Sequence, residues 1–242
     1  MSRHDPALLQ DLEAALHAVA DIARPETLRF FRTPALAIAN KLAEGFDPVT
    51  EGDRAAETAM RAALADLRPD DAILGEEFGT TPGQSGLTWV IDPIDGTRAY
   101  LAGAPTWGVL IAVSDADGPI MGLIDQPHIG ERFFGGPDAA WVAGPRGRVP
   151  LSCRPARPLA EAILFTTFPE VGTAAEQRAF AAVSKQARLT RYGLDCYAYG
   201  LVAAGQADLV IEANLQAYDI QGPMAVVQAA AGVVTDWQGG PA

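Results

Sequence analysis

The sequence predicts a mixed α/β chain with two sheets and helices on their faces, on three observations. Residues 109–148 alternate apolar runs with turn signals, the pattern of an antiparallel meander. Residues 162–237 alternate strand-like and helix-like segments, which argues for a second sheet carrying helices. Ahead of both, residues 7–32 and 50–67 place apolar side chains at helical spacing. The 242 residues suit one domain, with an N-terminal half to about residue 150 and a C-terminal half from about residue 151.

In chain order, Leu9, Leu12, Leu16, Val19 and Ile22 mark one helix ending near Arg24. Pro25 then reads as the first turn of a second helical piece. Residues 36–46 read as a loop or a short extended stretch. Thr50 is the predicted N-cap of a helix running to Leu67, and Asp53 completes a variant capping box. Arg68-Pro69-Asp70-Asp71 ends it. Residues 72–75 form a short strand leading into Glu76-Glu77, and residues 87–91 a buried strand that stops at Asp92. Strands at 109–114, 120–125 and 131–134 are parted by turns such as Asp117-Gly118 and Ile129-Gly130. Residues 140–148 continue the meander around Gly144-Pro145-Arg146-Gly147. In the second half, residues 162–166, 188–192, 209–212 and 233–237 are extended, and 174–187, 198–205 and 219–231 are helical. Pro223 falls in the first turn of that last helix, where backbone N–H groups lack partners anyway.

Composition narrows the class. Hydrophobic residues make up 49% of the chain, enough for a sizeable core, and the 20% of charged residues do not indicate disorder. The formal net charge is −12, and the 18 Lys and Arg are scattered except for a mild cluster at Arg146 and Arg148. A duplex-binding protein shows a basic patch or stripe, so nucleic acid is not an expected partner. An acidic enzyme that handles an anionic phosphate needs bound cations to reverse the local field. Cys153 and Cys196 form no CxxC pair, which argues against a disulfide scaffold or a zinc site and makes the reducing cytoplasm the default location. No apolar run reaches the ~20 residues that span a bilayer. Residues 1–11 lack a signal-peptide core.

The acidic residues gather where strands end. Glu76 and Glu77 follow Leu74 and Gly75, Asp92 and Asp95 follow Ile91, and Asp219 opens a late helix. Hard divalent cations such as Mg²⁺ take carboxylates, substrate phosphate and water as ligands. Two carboxylates three residues apart on a turn stiffened by Pro93 can face one point, and the Ile94 carbonyl between them offers another oxygen. Gly96 and Thr97 begin a helix whose free N–H groups suit an anion, and the Thr97 hydroxyl can hold a water in line with phosphorus. Taken singly, Asp92 and Asp95 are ordinary turn residues. The string Asp92-Pro93-Ile94-Asp95-Gly96-Thr97, with Gly75-Glu76-Glu77 upstream and an Asp at a helix start downstream, is far more specific.

Those motifs, with Asp47-Pro48-Val49-Thr50-Glu51-Gly52-Asp53, Trp89-Val90-Ile91, Tyr218-Asp219 and Ala230-Ala231-Gly232, resemble the inositol monophosphatase-like superfamily of Mg²⁺-dependent phosphatases. They occur in the family's order over nearly the whole chain. The resemblance implies a layered α-β-α-β-α sandwich and a homodimer. It implies two or three Mg²⁺ ions held by Glu76, Asp92, Asp95, Asp219 and the Ile94 carbonyl. It pairs Thr97 with Asp53 to activate the attacking water, with Glu76 also at the catalytic centre and the Gly96 and Thr97 amides on phosphate. Such a set suffices for phosphoryl transfer, which needs mostly positioning and charge neutralisation. Glu77 reads as a solvated neighbour. Lys41 is either an electrostatic partner of the site or a surface lysine. The family's further strand and helix after the last strand are not found before Ala242, so a truncated C-terminus is expected.

For the substrate, residues 98–100, 164–169, 191–199 and 215–220 look most like the histidinol-phosphatase branch, which implies hydrolysis of L-histidinol phosphate, a step of histidine biosynthesis. That substrate carries an ammonium and an imidazole. Asp195 and Glu212 can pair with the cation, and Arg191 can contact phosphate or organise Asp195. A structural Arg191–Asp195 ion pair and a loop-capping Glu212 are the alternatives. Inositol phosphate and 3′-phosphoadenosine nucleotides are the alternative substrates, and a binding protein without turnover the non-enzyme reading. His4, His17 and His128 show no metal-ligand spacing, and neither an Asp-x-Asp nucleophile nor a P-loop pattern is present.

Overall fold

The computed structural model describes residues 4–33, 38–40, 48–170 and 172–242. Lys41 and Asp47 lie outside the described residues, as do residues 1–3 of the N-terminal segment.

The chain opens with α1 (Pro6–Phe30), N-capped by Asp5. The predicted break at Pro25 does not occur, and the helix runs through it. Its last turns are held from outside: Tyr100 Oη donates to the Thr27 carbonyl at 2.6 Å, and Phe31 packs with Tyr100 and Trp107. These contacts offset the hydrogen bond that Pro25 cannot make. Two short strands, β1 (Ile38–Asn40) and β2 (Pro48–Thr50), pair antiparallel and lead into α2 (Glu51–Leu67). The predicted capping box is present: Thr50 Oγ1 accepts from the Gly52 and Asp53 amides, and the Asp53 carboxylate accepts from the Thr50 amide at 2.8 Å.

Next come β3 (Ala72–Gly75), β4 (Gly79–Thr81), which sequence reading missed, and β5 (Thr88–Asp95). A short helix, α3 (Thr97–Ala102), precedes the predicted meander of β6 (Gly108–Asp115), β7 (Gly118–Gln126), β8 (Glu131–Gly135), β9 (Ala140–Gly144) and β10 (Gly147–Pro150). The strands form one eight-stranded sheet in the order β10-β9-β8-β7-β6-β5-β3-β4, antiparallel except for β3 beside β5.

The second half contributes β11 (Ile163–Thr166), α4 (Ala174–Ser184), β12 (Leu189–Tyr192), α5 (Tyr197–Ala203), β13 (Leu209–Val210) and α6 (Ala217–Ala229). The three strands make a parallel sheet, β12-β11-β13. The strand expected at 233–237 is not formed. Val233 is 83% exposed, and the segment makes only a bridge between Thr235 and Pro241. Pro223 is not in the first turn of α6 but seven residues into it, because the helix starts at Ala217.

Side-chain alternation along the strands builds the layers. Val109, Ile111 and Val113 of β6 face one core with Leu12, Leu16 and Val19 of α1 and Met60 and Leu64 of α2. Leu110 and Ile124 face the other way, onto Val226, Val227 and Ala203 of α6 and α5. Residues of α5 pack in turn on the small sheet through Ala198, Val202 and Phe165, and Phe180 of α4 is buried beside Thr166 and Ile211. Helices, large sheet, helices, small sheet and helix follow one another as the layered sandwich requires. Two glycines set how close α6 comes. A Cβ on Gly135 would sit 2.4 Å from the Ala225 carbonyl oxygen, and one on Gly122 would sit 3.0 Å from the Gly222 Cα. No helix among the described residues is long and apolar enough to cross a membrane.

Candidate active site

The sequence expected β5 to stop at Asp92. It continues to Asp95 through a bulge: Asp92 lies opposite Leu110 and Asp95 opposite Gly108, so β5 spends one extra residue there. Pro93, which has no N–H to give the ladder, sits in the irregular stretch. Asp92 Oδ1 accepts the Ile94 amide at 2.9 Å, closing a tight turn. The Ile94 side chain is fully buried with Phe31, Tyr100 and Trp107, and its carbonyl accepts the Thr97 hydroxyl at 3.2 Å. Gly96 follows with φ +81° as the N-cap of α3.

The bulge brings the predicted acids together. Asp92, Asp95 and Asp219 each place a carboxylate oxygen within 4.8 Å of the others. Asp53, Glu76 and Glu77 form a second such group. The Glu76 charge acts on both Asp92 and Asp53, which joins the two groups. Burial, and after it the charges of Glu76, Asp95 and Asp219, raise the Asp92 carboxyl well above the usual range. Burial likewise raises Asp95, with Asp195 and Asp219 adding to the shift. Buried carboxylates that repel one another in this way fit divalent cations, for which they supply hard oxygen ligands. The side chains grouped closely enough to hold them are Asp92, Asp95 and Asp219, and Asp53, Glu76 and Glu77.

Asp53 is fully buried. One oxygen accepts from the Thr50 amide and hydroxyl, and the other lies 3.5 Å from Thr97 Oγ1 as its acceptor. Burial pushes the Asp53 carboxyl up to about 6, against the lowering effect of Thr50. Asp219 is fixed as the N3 residue of α6, where its Oδ2 accepts the Gln216 amide at 2.6 Å.

A cleft of 630 Å³ opens beside these groups, and Asp95, Gly96, Thr97, Phe168, Asp195, Tyr199, Glu212 and Asp219 are in its lining. Asp195 adopts φ +49°, and the amide after it, of Cys196, donates to Asp95 Oδ2 at 2.7 Å. Thr106 donates to Asp195 Oδ2 at 2.7 Å. Glu212 accepts from the Thr167 amide at 2.6 Å and hydroxyl at 2.9 Å. The proposed ligands for a cation, Asp195 and Glu212, therefore share one cleft with Gly96 and Thr97.

Arg191 does not join them. It is exposed on β12, an edge strand, and lies outside the cleft lining. Glu77, expected to be solvated, is half-buried in the second acid group, because its amide is drawn in by Glu57. Glu57 is a residue that sequence reading missed. It is fully buried, accepts the Glu77 and Phe78 amides at 2.7 and 3.1 Å, and pairs with Arg61 at 2.8 Å. It holds the turn that presents Glu76.

Burial raises the Glu212 carboxyl from 4.5 to about 7. A raised carboxyl contributes stability that is complete below its unfolded pKa and lost as pH rises through the folded one. Glu212→Gln keeps an acceptor for Thr167 and removes the charge. Without divalent cations, the variant is expected to melt above wild type at pH 8, and the two should converge near pH 4; parallel curves would contradict the shift.

The whole chain has known relatives. The inositol monophosphatase family model matches residues 8–242. The bifunctional phosphatase IMPL2 of Arabidopsis thaliana, a chloroplastic protein, is 36% identical over 99% of this chain and 69% of its own length. A histidinol-phosphatase of Chlorobaculum parvum is 32% identical over 95% of this chain and 86% of its own. The solved inositol monophosphatase of Zymomonas mobilis superposes with a TM-score of 0.84 at 36% identity, covering 96% of this chain and 88% of that one. With the fold and the acid-lined cleft already in place, these matches make the chain a phosphoric monoester hydrolase of the inositol monophosphatase family.

Proposed function

We propose that this enzyme is a Mg²⁺-dependent histidinol phosphatase. The observation that carries the reading is the meeting of two groups in one cleft: Gly96 and Thr97 beside the carboxylate cluster, and Asp195 with Glu212 in the same lining. The first group suits a phosphate, and the second suits a leaving alcohol that bears positive charge. The curated relatives named histidinol-phosphatase support the same substrate.

Glu76, Asp92, Asp95, Asp219 and the Ile94 carbonyl would hold the cations, which would supply charge neutralisation to the phosphate ester. The protein's own residues do the positioning. The Thr97 hydroxyl lies between the Ile94 carbonyl at 3.2 Å and Asp53 Oδ1 at 3.5 Å; with its proton turned to Asp53, it leaves the Oγ1 lone pairs to accept a hydrogen bond from the attacking water, whose proton passes by way of Thr97 to the Asp53 carboxylate. Asp53 is kept from rotating by its two bonds to Thr50, so its remaining oxygen stays aimed at Thr97. The Gly96 and Thr97 amides face the phosphoryl oxygens. Asp195 and Glu212 bind the ammonium and imidazole of the alcohol.

A turnover comparison of histidinol phosphate, inositol 1-phosphate and a 3′-phosphoadenosine nucleotide tests the substrate. One charge-assisted hydrogen bond is worth about tenfold or more, so kcat/KM is expected to favour histidinol phosphate by at least that factor. Equal turnover of inositol 1-phosphate would contradict the reading.

A further inference from the structure

The loop between α3 and β6 plays no part in the chemistry above, yet it is held with unusual care. The side-chain amide of Gln126, 1% exposed at the end of β7, donates to the carbonyls of both Pro105 and Trp107. The Gln126 carbonyl oxygen accepts the Ile129 amide at 3.2 Å, which fixes the amide's orientation. Trp107 is fully buried against Phe31 and Tyr100. The residue between the two gripped carbonyls is Thr106, and its hydroxyl donates to Asp195 Oδ2 at 2.7 Å. Asp195 is in turn pressed against the phosphate side of the cleft. A Cβ on Gly96 would lie 2.8 Å from the Asp195 Cβ and 3.2 Å from its Oδ1.

We propose that Thr106, held by Gln126, is a positioning residue that sets substrate preference by fixing the Asp195 carboxylate. The Thr106 hydroxyl occupies Oδ2 and leaves Oδ1 on the Gly96 side, as the acceptor for a cationic group on the alcohol. Both a polyol hydroxyl and an ammonium can donate to that oxygen, and the negative charge of an ionised Asp195 favours the ammonium. Without the hydroxyl the carboxylate is free to turn about χ2 and lose that aim. The loop itself does not depend on this bond, because Gln126 and Trp107 hold it. The inference rests on the reading of Asp195 as the group that meets the cation.

Thr106→Val removes the donor at nearly constant volume, and Thr106→Ser keeps it. The quantity to measure is the ratio of kcat/KM for histidinol phosphate to that for inositol 1-phosphate, alongside the melting temperature. Thr106→Val is expected to lower the ratio roughly tenfold, mainly through KM for the cationic ester, the usual size for loss of a hydrogen bond to a charged group. Thr106→Ser should restore it. In an Asp195→Asn background, Thr106→Val should change the ratio no further, since both substitutions act through one group. A wild-type preference retained in Thr106→Val, an equal loss on both esters, or full additivity with Asp195→Asn would overturn the inference and leave the histidinol reading standing. A wild-type enzyme with no preference for the cationic ester would remove both.

Discussion

Asp95→Asn is expected to lower phosphate release at least about 10³-fold while making the metal-free protein more stable. Both effects have one cause. Asp95 is half of the acid pair that the β5 bulge turns inward, and its carboxylate meets those of Asp92 and Asp219. Asn retains one oxygen, which can still accept the Cys196 amide, so the turn around it survives. The negative charge is lost, and with it an anionic ligand from the cation site. The same charge is a burden without cations: burial and the charges of Asp195 and Asp219 hold the Asp95 carboxyl above its ordinary range. A group raised in this way loses stability as pH climbs, and Asn has nothing to lose. Melting in chelator at pH 8 should therefore favour the variant, and a variant less stable than wild type would contradict the repulsion.

Thr97→Ala is expected to cost about 10²- to 10⁴-fold in kcat with KM little changed, the range for losing a positioned proton acceptor. Thr97→Ser should retain most of the activity, because it keeps the hydroxyl. Asp53→Asn should lose a comparable factor in kcat. If Thr97 and Asp53 act as one relay, the double variant falls no further than the worse single one. Multiplying losses would mean two separate roles.

The legible part of this molecule was the part whose sequence signals are local. Thr50 and Asp53 announced a capping box, and the meander announced itself by turns between apolar runs. The string from Asp92 to Thr97 reads by itself as a turn with two acids, and Gly75-Glu76-Glu77 upstream and Asp219 downstream make it a candidate metal site. Tertiary contacts decided what remained. Pro25 reads as a break, but the helix continues because Tyr100 bonds the Thr27 carbonyl and, with Trp107, packs on Phe31 at the helix end. The Glu57–Arg61 spacing is that of a solvated surface pair, and nothing near it in sequence says that the Glu77 and Phe78 amides come to meet it. The stretch from Arg191 to Tyr199 resembles the histidinol-phosphatase branch as a whole, yet β12 ends at Tyr192 and the chain turns through Gly193, at φ +74°, so that Asp195 lines the cleft and Arg191 does not. Thr106 gave no signal at all. Its place depends on a glutamine twenty residues later, on another strand.

In the proposed mechanism the carboxylates act by holding cations for phosphate ester hydrolysis. The direct measurement is phosphate release from histidinol phosphate by metal-stripped wild type and Asp95→Asn as Mg²⁺ is added back. The expected result is no turnover in chelator, a saturable return of activity with Mg²⁺ for wild type, and almost none for Asp95→Asn at any concentration. Undiminished turnover in chelator, or an Asp95→Asn curve that matches wild type, would contradict it.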